Sequence, residues 1–288
     1  MVSVNVVELT DTTGVFEVRG VTPSFLNAIR RTMMSSVPKL AIEDVTIYDN
    51  TSALFDEMVA HRLGLLPVPT DLNAFNRRYK DNTASPREGA CPSCSGEGCA
   101  SCTVLYTLSK EGPATVYSGD LVPAADAKFK IVDPKIPIVK LLEGQRVMLE
   151  AGAILGTGIE HAKWACVTAV GYQEYPVVTV KGPIPADKLD KVQRTMPPGA
   201  FSLDGSTLRV LDPVKAAAYL RSAKKQYGLD TVDVTSEPDR WLFRVETDGA
   251  LSPQAAIRKA VSMVMEKLKT VEGDVQKLKM PETEAPPA

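Results

Sequence analysis

Histidine is nearly missing from this 288-residue chain, which holds only His61 and His161. Each has apolar and basic neighbours, so a structural role is the simpler reading than acid–base work. The spacings that announce catalysis are missing too. There is no G-x4-G-K-[ST] loop to cradle a phosphate, no G-x-S-x-G elbow and no H-E-x-x-H turn. No stretch approaches about 18 consecutive apolar residues, and the N-terminus has no basic segment leading into an apolar one. These absences predict a cytoplasmic, unanchored chain with no catalytic residue of its own. Charge of one sign is also lacking: Lys and Arg total 33, Asp and Glu 35. Electrostatics alone therefore predict neither strong nucleic-acid affinity nor the acidic coat of a salt-adapted protein. The dense basic runs, Arg30-Arg31 and Arg77-Arg78-Tyr79-Lys80, are explained as well by a solvated face or a protein interface as by nucleic acid.

Cysteine is scarce, five in all, yet four fall in one window as Cys91, Cys94, Cys99 and Cys102, spaced C-x2-C-x4-C-x2-C. In a chain without a secretion signal this pattern reads as a metal site rather than a disulfide framework. Four thiolates favour tetrahedral zinc, and Gly96 and Gly98 let the two pairs fold back on one ion at little steric cost. An all-cysteine set leaves no position for water, so such a metal would be structural. An iron–sulfur centre and a metal-free loop remain alternatives, the first of which would make the chain a redox module. Cys91 to Gly98 also spells C-x-x-C-x-G-x-G, the repeat of the zinc region in J-domain co-chaperones, but it occurs once and no His-Pro-Asp accompanies it. The lone Cys166 reads as a buried thiol, and the pair Gly156-x-Gly158 reads by itself as a tight turn.

Hydrophobic periodicity divides the chain. Val2, Val4 and Val6, then Val15 and Glu17 with a turn at Gly14, suggest a β-hairpin. A helix over 23–37 follows, with Thr22 as its N-cap, Pro23 in its first position and Leu26, Ile29, Met33 and Val37 on one face before Pro38. A second, longer helix over 253–272 carries Ile257, Val261, Val264, Leu268 and Val271, with Gly273 as its stop. Strand-like Trp241–Glu246 precedes it, so the two ends of the chain can share one domain with the middle as an insertion. That middle is mostly β, with strands expected at Ala41–Tyr48, Thr103–Leu108, Ala114–Tyr117, Arg146–Glu150 and Ala165–Val170. From about Pro176 a proline-rich, small α+β module follows, with helices at Lys188–Arg194 and Pro213–Tyr227. The tail over 280–288 has little apolar content and is expected to be disordered.

The stretch Phe25-Leu-Asn-Ala-Ile-Arg-Arg-Thr-Met33, then Ala41-Ile-Glu-Asp-Val45, then Asp56-Glu-Met-Val-Ala-His-Arg-Leu-Gly-Leu-Leu-Pro-Val68 resembles the α-type subunits of cellular RNA polymerases, above all the archaeal D-type and eukaryotic third-largest subunits. The likeness continues through Leu155–Gly158, Ala162–Trp164 and Phe243–Gly249, and so covers most of the chain. It implies an α+β fold: a dimerisation domain from 1–40 and 231–279, split by a mostly-β domain over 41–175 that holds the cysteine loop, and a ferredoxin-like insert over 176–230. It implies a non-catalytic assembly scaffold that pairs with the small α-like subunit L and docks the large catalytic subunits, reaching DNA only through the complex and touching no membrane. The implied partner anchors are Phe25, Leu26, Ile29, Met33, Ile257, Val261, Val264 and Leu268. The implied docking residues are Arg62, Gly64, Leu65, Pro67, Gly156, Gly158, Lys163 and Trp164. The resemblance also supports zinc at the cysteine window. In many relatives the insert holds an iron–sulfur cluster through cysteines, but here Ala216, Tyr219 and Ser222 stand where those would be, and none can bind iron.

Overall fold

The computed structural model describes residues 2–79, 91–124 and 126–277. The expected disordered tail and Lys80 of the second basic run lie outside the described residues. In chain order the elements are β1 (Ser3–Leu9), β2 (Thr13–Arg19), α1 (Pro23–Ser35), β3 (Lys39–Asn50), α2 (Asp56–Gly64), β4 (Thr103–Glu111), β5 (Ala114–Tyr117), β6 (Val122–Pro123), β7 (Pro137–Leu141), β8 (Arg146–Gly156), β9 (Ala169–Val180), α3 (Ala186–Thr195), β10 (Phe201–Asp204), β11 (Thr207–Val210), α4 (Pro213–Tyr227), β12 (Val232–Glu246) and α5 (Pro253–Lys277). They fall into two compact units. One gathers the chain through Val7, Val15–Pro23 and Gly171–Arg244; the other gathers Glu8–Gly14, Ser24–Val170 and the chain from Val245 onward. This division groups both terminal helices with the mostly-β middle, whereas the sequence texture groups them with the hairpin.

The first unit is built on a four-stranded sheet in the order β1-β2-β12-β9. The edge strand β1 is exposed along its whole length, while β2 is buried from Gly14 to Val18. On that strand the buried Glu17 accepts from Arg240 at 2.9 and 3.0 Å and from Arg19 at 2.8 Å. Those two guanidiniums, Arg240 foremost, hold its carboxyl below the usual range. The insert grows from the far side of the sheet: β9 and β12 are neighbours, and the Lys181 amide donates to the Thr231 carbonyl at 2.7 Å where they part. Between those points lie α3, the antiparallel pair β10–β11 and α4. Helix α4 starts where the sequence places it, because Asp212 accepts from the amides of Val214 and Lys215 and Pro213 suits the first turn. It ends on Gly228 in the left-handed conformation. A separate core of Ile184, Val192, Phe201, Leu208, Leu220 and Leu229 holds this module together.

The second unit carries the sheet β3-β8-β4-β6 and the pair β5–β7. Its core is lined by Leu40, Ile42, Val59, Leu63, Tyr106, Leu141 and Leu149, all at most 1% exposed. The one polar group among these side chains, the Tyr106 hydroxyl, donates to the Phe129 carbonyl at 2.6 Å, as burial requires.

Local expectations shift at several points. The strand expected over Ala165–Val170 begins only at Ala169, as β9, and residues 165–168 are a loop. The segment before Gly64 is a helix, α2, which the sequence reading leaves unassigned. Asp56 and Glu57 sit in its first turn, His61 and Arg62 in its last, and Val59 and Leu63 four residues apart meet the core. The hairpin turns at Thr10–Thr13, where the Thr10 amide donates to the Thr13 carbonyl at 2.8 Å, and Gly14 belongs to β2. Helix α5 runs through Gly273 to Lys277, because a single glycine costs a helix only about 1 kcal/mol unless a left-handed turn follows it.

Candidate functional site

The four cysteines of the window come together. Each C-x2-C half closes its own turn: the amides of Ser95 and Glu97 donate to the carbonyls of Cys91 and Cys94, and those of Cys102 and Thr103 donate to the Cys99 carbonyl, all between 2.9 and 3.0 Å. Gly96 and Gly98 take φ of 98° and 106°, which side-chain-bearing residues rarely adopt, so the return between the halves depends on them. The second half leads directly into β4, which pairs with β8 from Thr103 opposite Ile154.

The sulfur atoms all lie within 4.8 Å of one another. Three of the pairs stand at 3.7 Å (Cys91–Cys99), 3.6 Å (Cys94–Cys102) and 3.8 Å (Cys99–Cys102). Four sulfurs at the usual zinc–thiolate bond length around one tetrahedral ion are about 3.8 Å apart. The donor set and its spacing thus fit a single ion. A multi-iron cluster would place its own iron and sulfide between the ligands and force them farther apart. Around Cys94 burial opposes the charged form, but the amides of Gly98 and Gly96 and the neighbouring thiols outweigh it and bring the thiol down to about 6. Burial pushes the Cys102 thiol up to about 12. A metal would therefore meet one thiolate ready at neutral pH and would have to displace a proton from another.

The helical face is the second candidate. Of its expected anchors, Leu26, Ile29 and Met33 are buried at 4, 4 and 0% within the chain itself, so they support α1 from beneath. Phe25 is 42% exposed and Met34 46%. On α5 the buried residues are Pro253, Ala256 and Ala260, all in its first third. Ile257, Val261 and Val264 are half-buried. Beyond them Leu268, Val271 and Val275 are exposed by about 60% at spacings of three and four, one continuous apolar stripe. A groove of about 390 Å³ between the helices is lined by Ala28, Arg31 and Thr32 of α1 and Val264, Leu268 and Val271 of α5.

The expected docking residues are mostly engaged inside the chain. A Cβ on Gly156 would stand 2.3 Å from the Trp164 ring, and one on Gly158 would stand 2.0 Å from the Met34 carbonyl. Trp164 is buried and donates to the Ile154 carbonyl at 3.1 Å. Lys163 donates to the Ile42 carbonyl at 2.9 Å and pairs with Glu43. Gly64 lies under the Ile42 carbonyl, and Pro67 is half-buried. Leu65, 56% exposed, and Arg62, which donates to the Pro137 carbonyl at 2.6 Å, remain at the surface. Sequence reading missed the ion pair of Lys39 with Asp248 at 2.5 Å, in which the lysine side chain is 5% exposed. Two isolated charges 209 residues apart carry no local signal. Of the three insert positions, Ala216 is in the core, Tyr219 donates to the Val192 carbonyl at 3.1 Å and Ser222 is exposed.

The RNA polymerase Rpb3/Rpb11 dimerisation domain matches residues 15–268. Among similar proteins, the DNA-directed RNA polymerase subunit Rpo3 of Methanothermobacter thermautotrophicus is 38% identical over 264 residues, 92% of this chain and 95% of its own. The Rpo3 subunits of Thermoplasma volcanium and Methanosarcina acetivorans are 36% and 34% identical, over 92% and 91% of this chain and 96% and 93% of theirs.

Proposed function

Because the chain belongs to the RNA polymerase Rpb3/Rpb11 dimerisation-domain family, we propose that it is the assembly-scaffold subunit of a DNA-directed RNA polymerase and pairs through α1 and α5 with a smaller α-like subunit. The observation that carries the pairing surface is the outer part of α5. A helix of 25 residues is about 37 Å long, and only its first third is buried by its own chain. Leu268, Val271 and Val275 hold apolar surface in water that a partner helix would remove. Phe25 and Met34 on α1 extend the same kind of surface.

The large catalytic subunits would dock on the second unit, where Arg62 and Leu65 at the end of α2 are open, and DNA would be reached only through the assembled complex. Cys91, Cys94, Cys99 and Cys102 would hold a zinc ion that cross-links the two halves of the loop ahead of β4, a structural role with no free coordination position. Among the described residues no helix is long and apolar enough to cross a membrane.

Co-expression with candidate small α-like subunits, followed by native mass spectrometry and metal analysis, tests this reading. The expected product is a 1:1 heterodimer with about one zinc per chain and no iron or acid-labile sulfide. A chain that stays alone with every such subunit, and brings down no polymerase subunits, would overturn the scaffold assignment. Iron with sulfide would overturn the zinc assignment alone.

A further inference from the structure

The cysteine loop does not hold its shape by its own turns only. Arg78, from the segment that precedes it in the chain, reaches under the loop with all three guanidinium nitrogens engaged. Its Nε donates to the Gly96 carbonyl at 3.0 Å, Nη2 donates to the Glu97 carbonyl at 2.9 Å, and Nη1 donates to the Asp44 carboxylate at 2.7 Å. The side chain is 15% exposed. Asp44 stands at an irregularity in the pairing of β3 with β8, so a fixed sheet supplies the far end of the bridge. The base of the arginine is fixed as well: the adjacent Tyr79 is buried in a cluster with Ala41, Ile154 and Trp164, and the Asn76 amide donates to the Ser101 carbonyl at 2.9 Å.

The loop is shaped to receive this group. A Cβ on Gly98 would lie 3.3 Å from the guanidinium carbon, a tight contact that would push the arginine outward by a few tenths of an ångström, and the φ of 106° favours glycine there in any case. The same Gly98 donates its amide to the Cys94 sulfur at 3.3 Å. The carbonyls that Arg78 grips therefore belong to the turn whose next amide orients a ligand sulfur.

We propose that Arg78 is the positioning residue of the cysteine loop, locking the Gly96–Glu97 turn to Asp44 so that the four sulfurs stay at single-ion spacing. This rests on the reading that the window holds a metal. A planar fork can bridge three fixed acceptors where a lysine ammonium would satisfy them only in part. Partners that orient metal ligands commonly change metal affinity by about 10–100-fold when removed.

The test uses the full chain in its heterodimer, comparing wild type with Arg78→Met and Arg78→Lys. Zinc release to excess chelator is measured beside amide exchange over residues 95–99. Arg78→Met is expected to release zinc about tenfold faster or more and to exchange faster at Gly98 and Cys99, with Arg78→Lys restoring only part of each. Wild-type exchange in Arg78→Met overturns the proposal whatever metal is present, and so does wild-type zinc release. Wild-type protein that carries no metal defeats the metal reading instead, and the exchange measurement then decides the lock alone. If Arg78→Met does not fold, Asp44→Ala decides, since it removes the acceptor on β3 and keeps both carbonyl bonds. A smaller acceleration in the same direction supports the lock, and none overturns it.

Discussion

Glycines carry two meanings in this chain that a sequence does not separate. Gly156 and Gly158 belong to a segment whose family resemblance implies docking, yet their missing Cβ atoms are replaced by the Trp164 ring and the Met34 carbonyl of the same chain. The ring can shift a little, but a backbone carbonyl at 2.0 Å cannot without moving α1. Gly158→Ala is therefore expected to destabilise the chain by about 1–3 kcal/mol, the usual cost of overpacking. Gly171→Ala, with nothing within 4 Å, should change stability little. Thermal unfolding of the purified heterodimer, without any large subunit, checks this; equal midpoints for Gly158→Ala and wild type would return Gly158 to the docking surface. The cysteines lay open in the sequence because four ligands in 12 residues are a local signal. Arg78 was visible only as one of a basic run, because its three acceptors, two in the loop and one on β3, are set by folding and not by spacing.

At the scale of elements, periodicity found what burial made periodic. Helix α4 begins at Pro213 and ends at Tyr227 as its Asp212 cap and Gly228 stop dictate, and β5 spans Ala114–Tyr117 as expected. Helix α2 escaped because only Val59 and Leu63 face the core, one step of a repeat that needs two or three to be seen. The two terminal helices show the limit most clearly. Their apolar stripes announce burial without saying by what: on α1 the stripe is taken up by the chain's own core, and on α5 the same kind of stripe runs out into water. This difference sorts the variants. Leu268→Asp changes a side chain that is 62% exposed in the isolated chain, so the fold should be unaffected. In the heterodimer it would bury a carboxylate without a partner and weaken pairing by about 100-fold or more. Met33→Asp, fully buried, should instead unfold the unit. Circular dichroism with a titration of the small subunit distinguishes the two. Pairing by Leu268→Asp at wild-type affinity would place the interface elsewhere.

At the scale of the whole molecule, the insert is the part that the architecture can spare. Its helices and its β-pair share a core of their own, and its two connections leave the first unit's sheet side by side, Lys181 bonded to Thr231 at 2.7 Å. Neighbouring strands that close to this distance can be joined by a two-residue turn. The strands β9 and β12 would then form an ordinary hairpin without residues 182–230. Replacing that stretch with Asn-Gly is expected to leave a folded chain that binds the small subunit within about twofold of wild type, since neither α1 nor α5 takes part in the insert. It will not be free of cost. Val232 is 1% exposed, and Val178, Val180 and Val234 pack on the insert core, so their removal from cover should lower stability by about 1–3 kcal/mol each at most. A shortened chain that folds but cannot pair would show that the insert shapes the dimer surface. One that pairs normally but fails to recruit the large subunits would assign the insert to the second stage of assembly. Only pairing with recruitment intact would leave the insert dispensable to the scaffold, and its packed, cysteine-free core would then need a role outside assembly.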